Sequence, residues 1–370
     1  ERIRRISGIP LSPFFPAAKM SWLLQRESAV QENRGELHLG TVDSYLVYRL
    51  TGGKTFATDA SNASRTQLFD LHTLSWSKEL CDLFGVPMEC LPTVCDSNER
   101  YGLTDFEGTL PLAVPILGVL GDSHAALFGQ GCHRKGMMKT TFGTGSSMML
   151  HAGEEFVESS HGLATSLAWG MNGKVSYVLE GNINYTGAVI SWLKNDLGLI
   201  GSPSEVEPLI AQANPKDATV LVPAFTGLGA PYWDNEARAA FLYMSRTTKK
   251  PELVKAATES ISHQIADVLE AMEQDFGQKI TELRADGGPT RNRYLMQFTA
   301  DMTDTRVAAS TTEELSAIGA AYMAGLKAGC YRKEDIFQNI EYTSYRKQRS
   351  EEEIREQRSR WKEAVGRVRG

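Results

Sequence analysis

The chain has 370 residues, of which 42% are hydrophobic and 23% charged, and its formal net charge is −6. This apolar fraction excludes a disordered chain, and no apolar run reaches the roughly 18 residues that a membrane helix needs. The mildly acidic balance, without a cluster of Lys and Arg, argues against a nucleic-acid surface. At roughly 100–200 residues per domain, the length predicts a globular protein of two or three domains.

The first residues and the cysteines indicate whether the chain continues upstream and which cellular compartment it occupies. It opens at Glu1 without Met or a signal-peptide pattern, so we expect its start to lie within a longer protein. The five cysteines are irregularly spaced and include no CxxC pair, which supports neither a disulfide framework nor a zinc site. The seven histidines show no HExxH motif, so histidine ligation of a metal is unsupported. A reducing, cytoplasmic location is the simplest expectation.

The first third of the chain shows short helix and strand signals in alternation. Residues 75–84 predict a short helix with Ser75 as its N-cap. Residues 111–121 are rich in Val, Ile and Leu and predict a buried strand, broken at its start by two prolines. This strand leads directly into Asp122 and a helix that starts over residues 125–130.

The middle of the chain begins with a hairpin signal. Residues 136–150 predict two short strands joined by the turn Gly143-Thr144-Gly145. Residues 177–181 predict a further strand, and a helix follows over 187–196. Residues 218–225 have the apolar pattern of a buried strand.

The clearest periodicity covers residues 251–276, where apolar residues recur every three or four positions and predict a long amphipathic helix. A proline lies in its first turn and a glycine just after its end, as is typical of helix termini. A strand over 280–285, the pair Gly287-Gly288, and then helix, strand and helix indicate α/β construction. A charged helix is predicted over 350–367.

Three glycine-rich turns each lie beside a predicted strand end, at Gly121, at Gly143–Gly145 and at Gly287-Gly288. Glycine lets the backbone approach a phosphate closely, and a helix N-terminus adds partial positive charge for the same anion. No GxxxxGK[ST] loop occurs, and no GxGxxG fingerprint follows a strand, which disfavours a dehydrogenase. Singly each is more often a plain turn, but together they predict a nucleotide held between two domains.

Asp122 is the candidate acid–base residue. If it follows a buried strand, its carboxylate lies at the strand's C-terminal end, where open α/β sheets bind ligands. The alternative is that Asp122 caps the helix that follows it, and the residues leave both interpretations open. His124 and His263 are expected to be packed side chains rather than catalytic groups.

A series of motifs in a fixed order resembles the FGGY family of carbohydrate kinases, most closely its members that phosphorylate glycerol. The motifs span nearly the whole chain, at residues 14–24, 40–53, 58–76, 121–131, 141–150, 222–234, 285–302 and 317–326. The resemblance implies an α/β, two-domain fold of the actin, Hsp70 and hexokinase type (ribonuclease H-like). It implies that residues 1–133 are the C-terminal part of the first domain, that 134–330 are the second, and that 331–370 are a tail with the charged helix.

The resemblance also implies an activity, the ATP-dependent phosphorylation of a polyol or sugar hydroxyl. Asp122 would be the general base that takes the hydroxyl proton during in-line attack on the γ-phosphate. Phosphoryl transfer requires little more than positioning, charge neutralisation by Mg²⁺ and such a base. ATP and Mg²⁺ are the implied cofactors, with the metal ligands unknown, and the implied nucleotide contacts are Gly143, Thr144, Gly145, Gly187, Ser191, Gly288 and Asn292.

Three positions of the implied substrate site depart from the family's glycerol-binding pattern. Phe14 replaces a Tyr that hydrogen-bonds the polyol, Ser123 replaces the Gln after the catalytic Asp, and Ser147 replaces an aromatic residue. A missing ring and a shorter side chain open space and change the donors and acceptors that select a substrate. We therefore expect a glycerol-like or larger polyol, with two alternatives open: a ketose such as a pentulose, or a non-catalytic nucleotide-binding module.

The resemblance further implies that a preceding stretch is missing from this chain. Family members begin with an acidic residue, a Gly-Thr phosphate loop and an Arg-Glu pair for substrate, and none of these is found here. We therefore expect the 370-residue chain alone to be inactive. Its expected partners are a small-molecule substrate and copies of itself in a homodimer or homotetramer, without nucleic acid or membrane.

Overall fold

The computed structural model describes residues 2–27, 37–312, 314–337 and 340–369. The first part of the chain forms short elements, in which the strands pair two by two: β1 is parallel to β4, β2 antiparallel to β3 and β5 antiparallel to β6. The helices are α1 Arg2–Ser7, α2 Pro16–Arg26, α3 Val42–Leu50, α4 Ala60–Ala63, α5 Lys78–Phe84 and α6 Asp122–Gly129. The strands are β1 Ala57–Asp59, β2 Phe69–Asp70, β3 Ser75–Trp76, β4 Thr93–Cys95, β5 Gly102–Thr104 and β6 Val114–Ile116.

Two predictions for this part of the chain are wrong in detail. Ser75 belongs to β3, and the N-cap of α5 is Ser77, whose hydroxyl accepts a hydrogen bond from Leu80 N at 3.3 Å. The strand predicted over 111–121 is only the short β6, whose side chains are exposed or half-buried. Its prolines lack the N–H groups that a central strand needs, so the segment pairs with β5 alone and continues to Gly121 as irregular backbone.

The second part of the chain alternates longer strands and helices. Short 3₁₀ turns lie at Met88–Cys90 in the first part of the chain and at Pro203–Glu205 and Gly288–Arg291 in the second. The strands are β7 Met138–Phe142, β8 Ser146–Gly153, β9 Ala164–Met171, β10 Lys174–Ile183, β11 Val220–Val222, β12 Ala240–Leu242, β13 Glu282–Asp286, β14 Arg306–Ser310 and β15 Tyr342–Tyr345. The helices are α7 Gly187–Asn195, α8 Val206–Ile210, α9 Lys250–Phe276, α10 Arg293–Thr303, α11 Leu315–Lys327, α12 Lys333–Ile336 and α13 Glu351–Arg369.

Seven of these strands form one mixed sheet in the order β15-β14-β13-β7-β8-β10-β9. Strands β7, β13 and β14 run parallel, whereas β8, β9, β10 and β15 are antiparallel to their neighbours. The predicted hairpin is confirmed as β7 and β8, and the predicted strand at 177–181 is the centre of β10. The buried strand predicted at 218–225 shrinks to β11, which pairs with β12 outside this sheet.

The sheet is covered on both faces, and each face has its own apolar cluster. One cluster joins β7, β8 and β13 to α9 and α10 through side chains such as Ile265 and Leu295. The other joins the opposite face to α6 and α11 through Phe128, Met149 and Met323. Helices cover both faces of this mixed sheet, so nearly every residue of its central strands β7 and β8 is buried.

Helix α9 is the long helix that the periodicity predicts. Glu252 Oε2 accepts from Lys249 N at 2.8 Å at its start, and Gly277, with φ of 73°, ends it. His263 of α9 stacks on Trp361 of α13 with ring centroids 5.1 Å apart, and burial lowers its pKa well below the ordinary value. The prediction that His263 is a packed side chain is therefore confirmed.

Two absences follow for the part of the chain that the structure describes. None of its helices combines the length and the apolar character needed to cross a membrane. All five cysteines carry free thiols, three of them buried. The prediction that they form no disulfide framework agrees with this geometry.

Candidate active site

A row of polar side chains crosses the central sheet on the face covered by α6 and α11. Asp286 of β13 lies opposite Thr141 of β7, Thr141 lies opposite Ser147 of β8, and Ser147 lies opposite Asn182 of β10. Residues directly opposite one another in a ladder place their side chains on the same face. We call these four residues the polar row. The Oδ1 of Asp286 and the Oγ of Ser147 are buried without a hydrogen-bond partner in the structure.

Lys139 lies on the same face of β7, two residues before Thr141. Its side chain is fully buried, and its Nζ donates to Thr141 Oγ1 at 2.9 Å. Burial lowers the pKa of Lys139, and the carboxylates of Asp286, Glu180 and Asp122 oppose that shift. A buried ammonium beside the polar row is therefore electrostatically coupled to the carboxylate of Asp122.

Three backbone loops converge at the end of the polar row. In the turn between β7 and β8, Gly143 O and Thr144 O accept from Gly187 N at 2.9 Å and from Ala188 N at 3.0 Å at the start of α7. A Cβ on Gly287 would lie 2.0 Å from Phe142 O, so only glycine allows the loop after β13 to come this close. The structure therefore brings together Gly143, Thr144, Gly145, Gly187 and the Gly287-Gly288 pair, as the sequence predicts.

A cavity of about 740 Å³ opens beside these loops. Asp286 and Thr141 form one wall together with Gly287 and Gly288, and hydroxyl side chains that follow β14, such as Thr311, form another. Small-molecule sites commonly have volumes of about 300–1,000 Å³. The cavity is therefore large enough for a nucleotide, and Gly288 lines it as the prediction requires.

Two of the predicted nucleotide contacts lie at the edge of this arrangement. Asn292 is half-buried, and its side-chain oxygen accepts from Leu295 N at 2.8 Å, which caps α10. Ser191 is exposed one turn after Gly187 on α7. Among the predicted nucleotide contacts, Gly288 lines the cavity and the others do not, so the contact of each with a nucleotide stays a prediction.

Asp122 is the first residue of α6 and is exposed. Its Oδ1 accepts from Ser123 N at 2.6 Å, and the helix cap is Gly121, without a side-chain bond. The strand-end position predicted for Asp122 is wrong because irregular backbone, rather than a buried strand, precedes it. The capping alternative is observed in part, because the carboxylate accepts a backbone N–H of the first turn of α6, and the side chain remains exposed at the N-terminus of that helix.

A buried hydrogen-bond chain holds the backbone before Asp122. The buried carboxylate of Asp59 accepts from Ser61 Oγ at 2.9 Å, and this hydroxyl accepts from Gly121 N at 2.9 Å. Ser97 Oγ donates to the other oxygen of Asp59 at 2.6 Å. Because Asp59 is the last residue of β1 and Ser97 belongs to the loop after β4, these two strands determine where α6 begins.

Helix α6 packs very closely on α11, and this contact joins the two parts of the chain. A Cβ on Gly319 of α11 would lie 1.8 Å from Ala125 O, and one on Gly129 would lie 2.3 Å from Leu315 O. Two glycines facing two backbones allow an approach that no larger residue permits. Asp122 is therefore positioned relative to the second part of the chain by helix packing.

Cationic side chains surround the first turn of α6. Arg65 Nη1 lies 2.7 Å from Glu180 Oε2 of β10, and its guanidinium lies over the Phe15 ring at 5.1 Å. Burial lowers the pKa of His124 well below its ordinary value, and Arg65 and Lys139 add to that shift. His124 is thus a buried side chain and not an exposed acid–base group.

The three residues that depart from the glycerol-binding pattern lie in different parts of the structure. Ser123 is half-buried beside Asp122, and Ser147 belongs to the polar row. Phe14 precedes α2 and is 65% exposed. The ring contacts described for it are with Phe15 and Lys19. The structure therefore supports Ser123 and Ser147 as neighbours of the Asp122 region more directly than Phe14.

The described residues contain no group of three or more His, Cys, Asp or Glu side chains that could hold a metal ion. Mg²⁺ usually keeps several waters and binds through one or two carboxylates together with the phosphates of a substrate. The exposed carboxylate of Asp122 and the unpartnered Oδ1 of Asp286 fit such a minimal donor set.

Sequence reasoning missed Lys139, Thr141, Asp286 and Arg65. The sequence could have indicated Lys139, because it is a charged residue in a predicted strand whose other residues are apolar or carry hydroxyl groups. Charged residues are rarely buried unless they are paired. Asp286 directly precedes a glycine pair that the sequence does single out. Arg65 carries no comparable signal, since its contact with Glu180 depends on tertiary structure alone.

Comparison with known proteins agrees with this architecture. The profile of the N-terminal domain of the FGGY family of carbohydrate kinases matches residues 1–129, and that of the C-terminal domain matches residues 138–328. The glycerol kinase of Brevibacillus brevis is 42% identical over 369 residues, which cover 99% of this chain and 74% of that protein. The glycerol kinase of Plasmodium falciparum, solved with ADP, superposes with a TM-score of 0.90 at 32% identity and covers 99% of this chain and 74% of that one.

A more distant neighbour shares the fold. The ligand-bound xylulose kinase of Lactobacillus acidophilus superposes with a TM-score of 0.84 at 20% identity. Two α/β domains in the actin and hexokinase arrangement, with glycine turns around a cavity, define a kinase of small molecules. The chain belongs to the FGGY family of carbohydrate kinases.

Proposed function

We propose that the protein transfers the γ-phosphate of ATP to a hydroxyl group of a polyol, with Asp122 as the general base. The observation that carries the proposal is the exposed carboxylate at the start of α6, a helix that close packing on α11 holds in place. A carboxylate that is accessible on one side and positioned by packing on the other suits a base that must reach a substrate hydroxyl.

The nucleotide would occupy the cavity beside Gly288, with its phosphates toward the turn Gly143–Gly145. The positive end of the α7 dipole favours an anion there, and the glycine turn lets a phosphate approach the backbone closely. Mg²⁺ would arrive with the nucleotide and neutralise charge on the transferred phosphoryl group. The ADP-bound glycerol kinase with the same fold supports this assignment.

The substrate is proposed to be glycerol or a somewhat larger polyol. Relatives at 42% and 43% identity are glycerol kinases, which favours glycerol. The unpartnered Oγ of Ser147, in a region where an aromatic ring is expected, favours a substrate with an additional hydroxyl. A ketose is the second candidate, because the same hydroxyl can bond a carbonyl or hydroxyl oxygen of a longer chain.

The test is turnover of ATP by the complete gene product with a panel of polyols and pentuloses, with the 370-residue chain assayed beside it. We expect Asp122→Asn to lower kcat by about 100- to 10,000-fold, the usual contribution of a general base. Nucleotide affinity should change less than about threefold, because the base does not hold the nucleotide. Asp105→Asn, which changes an exposed carboxylate elsewhere in the first part of the chain, is the matched control.

Two results would contradict the proposal. If no substrate raises ADP formation above the ATP-only rate, the protein is not a kinase of these compounds and the non-catalytic module becomes the better description. If a substrate is found but Asp122→Asn retains the wild-type kcat, another group takes the proton.

A further inference from the structure

We propose that Lys139 is a positioning residue that makes the Thr141 hydroxyl a hydrogen-bond donor to a phosphate group in the cavity. The inference rests on the proposed function, since it assumes that the cavity holds the phosphates of ATP. It concerns a residue that touches no substrate and acts through its neighbour on the same strand.

The first observation is the burial of Lys139. The side chain has no accessible surface, although a buried ammonium is costly unless it is paired and hydrogen-bonded. The hydrogen bond described for its Nζ goes to a neutral hydroxyl, Thr141 Oγ1. A lysine retained for stability alone would be expected to form a direct ion pair with good geometry.

The second observation is the direction of that hydrogen bond. An ammonium has three donors and no acceptor, so Thr141 Oγ1 must accept from it. Burial lowers the pKa of Lys139 and the nearby carboxylates of Asp286, Glu180 and Asp122 oppose that shift, while the bond itself runs from Nζ to Thr141 Oγ1. The hydroxyl group of Thr141 can then donate its own proton only to a partner other than Nζ.

The third observation is where Thr141 lies. Its side chain lines the 740 Å³ cavity, opposite Asp286 and one residue before Phe142, against whose carbonyl Gly287 packs. A hydroxyl that accepts from an ammonium becomes a stronger donor, because hydrogen bonds in a chain polarise one another. An oxygen of a phosphate group, which only accepts, is the ligand chemistry that matches this donor.

The experiment compares Lys139→Met, Thr141→Val and the double variant, with Thr141→Ser as the matched control that keeps the hydroxyl. Affinity for ATP with Mg²⁺ is measured by titration calorimetry, thermal stability without ligand by calorimetric unfolding, and kcat and KM for ATP with the complete gene product. Met has nearly the length of Lys without its charge, and the unfolding measurement shows how far removal of one charge beside buried carboxylates changes the stability of the fold.

We expect Lys139→Met and Thr141→Val each to weaken ATP binding about tenfold, in line with the loss of one charge-assisted hydrogen bond. The double variant should bind no more than twofold more weakly than Thr141→Val, because both changes remove the same interaction. Thr141→Ser should stay within about threefold of the wild type.

Three results would overturn the inference. The first is wild-type ATP affinity in Lys139→Met, and the second is a double variant whose loss of affinity equals the product of the two single losses. The third is a Tm of Lys139→Met that falls together with its ATP affinity while Thr141→Val binds ATP normally. Absence of ATP binding by the unaltered protein overturns it as well. Failure of the proposed function is distinguishable, because ATP would then bind with the expected pattern while no hydroxyl substrate is phosphorylated.

Discussion

The turn between β7 and β8 permits a sharp test of the site, because one of its glycines has no room for a side chain. A Cβ on Gly145 would lie 2.3 Å from Ile183 O and 3.1 Å from Asn184 O, whereas ordinary contact begins at 3.4 Å. The Gly145→Ala change must therefore displace the turn or the end of β10 by about 1 Å. Overpacking of this kind costs about 1–3 kcal/mol of folding free energy.

The expected effect on function is larger than the effect on stability. Gly145 O accepts from Gly143 N at 2.8 Å, so displacement of Gly145 moves the whole turn. A misplacement of about 1 Å can lower the rate by about 100-fold, which corresponds to about 2.7 kcal/mol of transition-state stabilisation. We therefore expect Gly145→Ala to lower kcat/KM for ATP by about 100-fold while the protein remains folded at 25 °C.

The assay couples ADP release to a recording enzyme, and titration calorimetry gives the Kd for ADP. Gly143→Ala is the matched variant at the other end of the turn, where an added Cβ meets only Gly145 O, at 3.4 Å. We expect this variant to lose less than tenfold. Wild-type kcat/KM in Gly145→Ala, or an equal loss in both variants, would refute the reasoning that backbone displacement disables the turn.

Two further predictions concern the substrate and the response to pH. Ser147→Phe restores a ring beside the polar row and should shift kcat/KM toward smaller polyols; unaltered ratios across the panel would remove Ser147 from the substrate site. Burial raises the pKa of the Asp275 carboxyl, but hydrogen bonds from Ser159, His161 and Ser160 outweigh burial and hold this pKa below its ordinary value. The stability that this carboxylate contributes is therefore complete above about pH 5 and is lost as pH falls through its folded pKa. The Tm difference between wild type and Asp275→Asn should shrink between about pH 5 and 3, and a constant difference would exclude this linkage.

The sequence by itself predicted the central hairpin and α9. It also predicted the order of strand, glycine pair and helix that follows α9. Each depends on local signals that fold in much the same way in any context: a glycine turn between two β-rich runs, a 3.6-residue apolar period, and a helix start and stop. The motifs that resemble the FGGY family identified the fold and most glycine positions of the site. The sequence also indicated that His124 and His263 are packed rather than catalytic.

Long-range pairing decided the rest. The strand expected before Asp122 is reduced to the short β6, because its prolines restrict it to a surface ribbon, and the position of Asp122 depends instead on the close contact of α6 with α11. The polar row exists only because β13, β7 and β8 pair in one register, which places Asp286, Thr141 and Ser147 side by side. No local pattern encodes such a register. The burial of Lys139 and the charges around it are therefore properties of the tertiary structure, whereas the glycine turns of the candidate site are properties of the sequence.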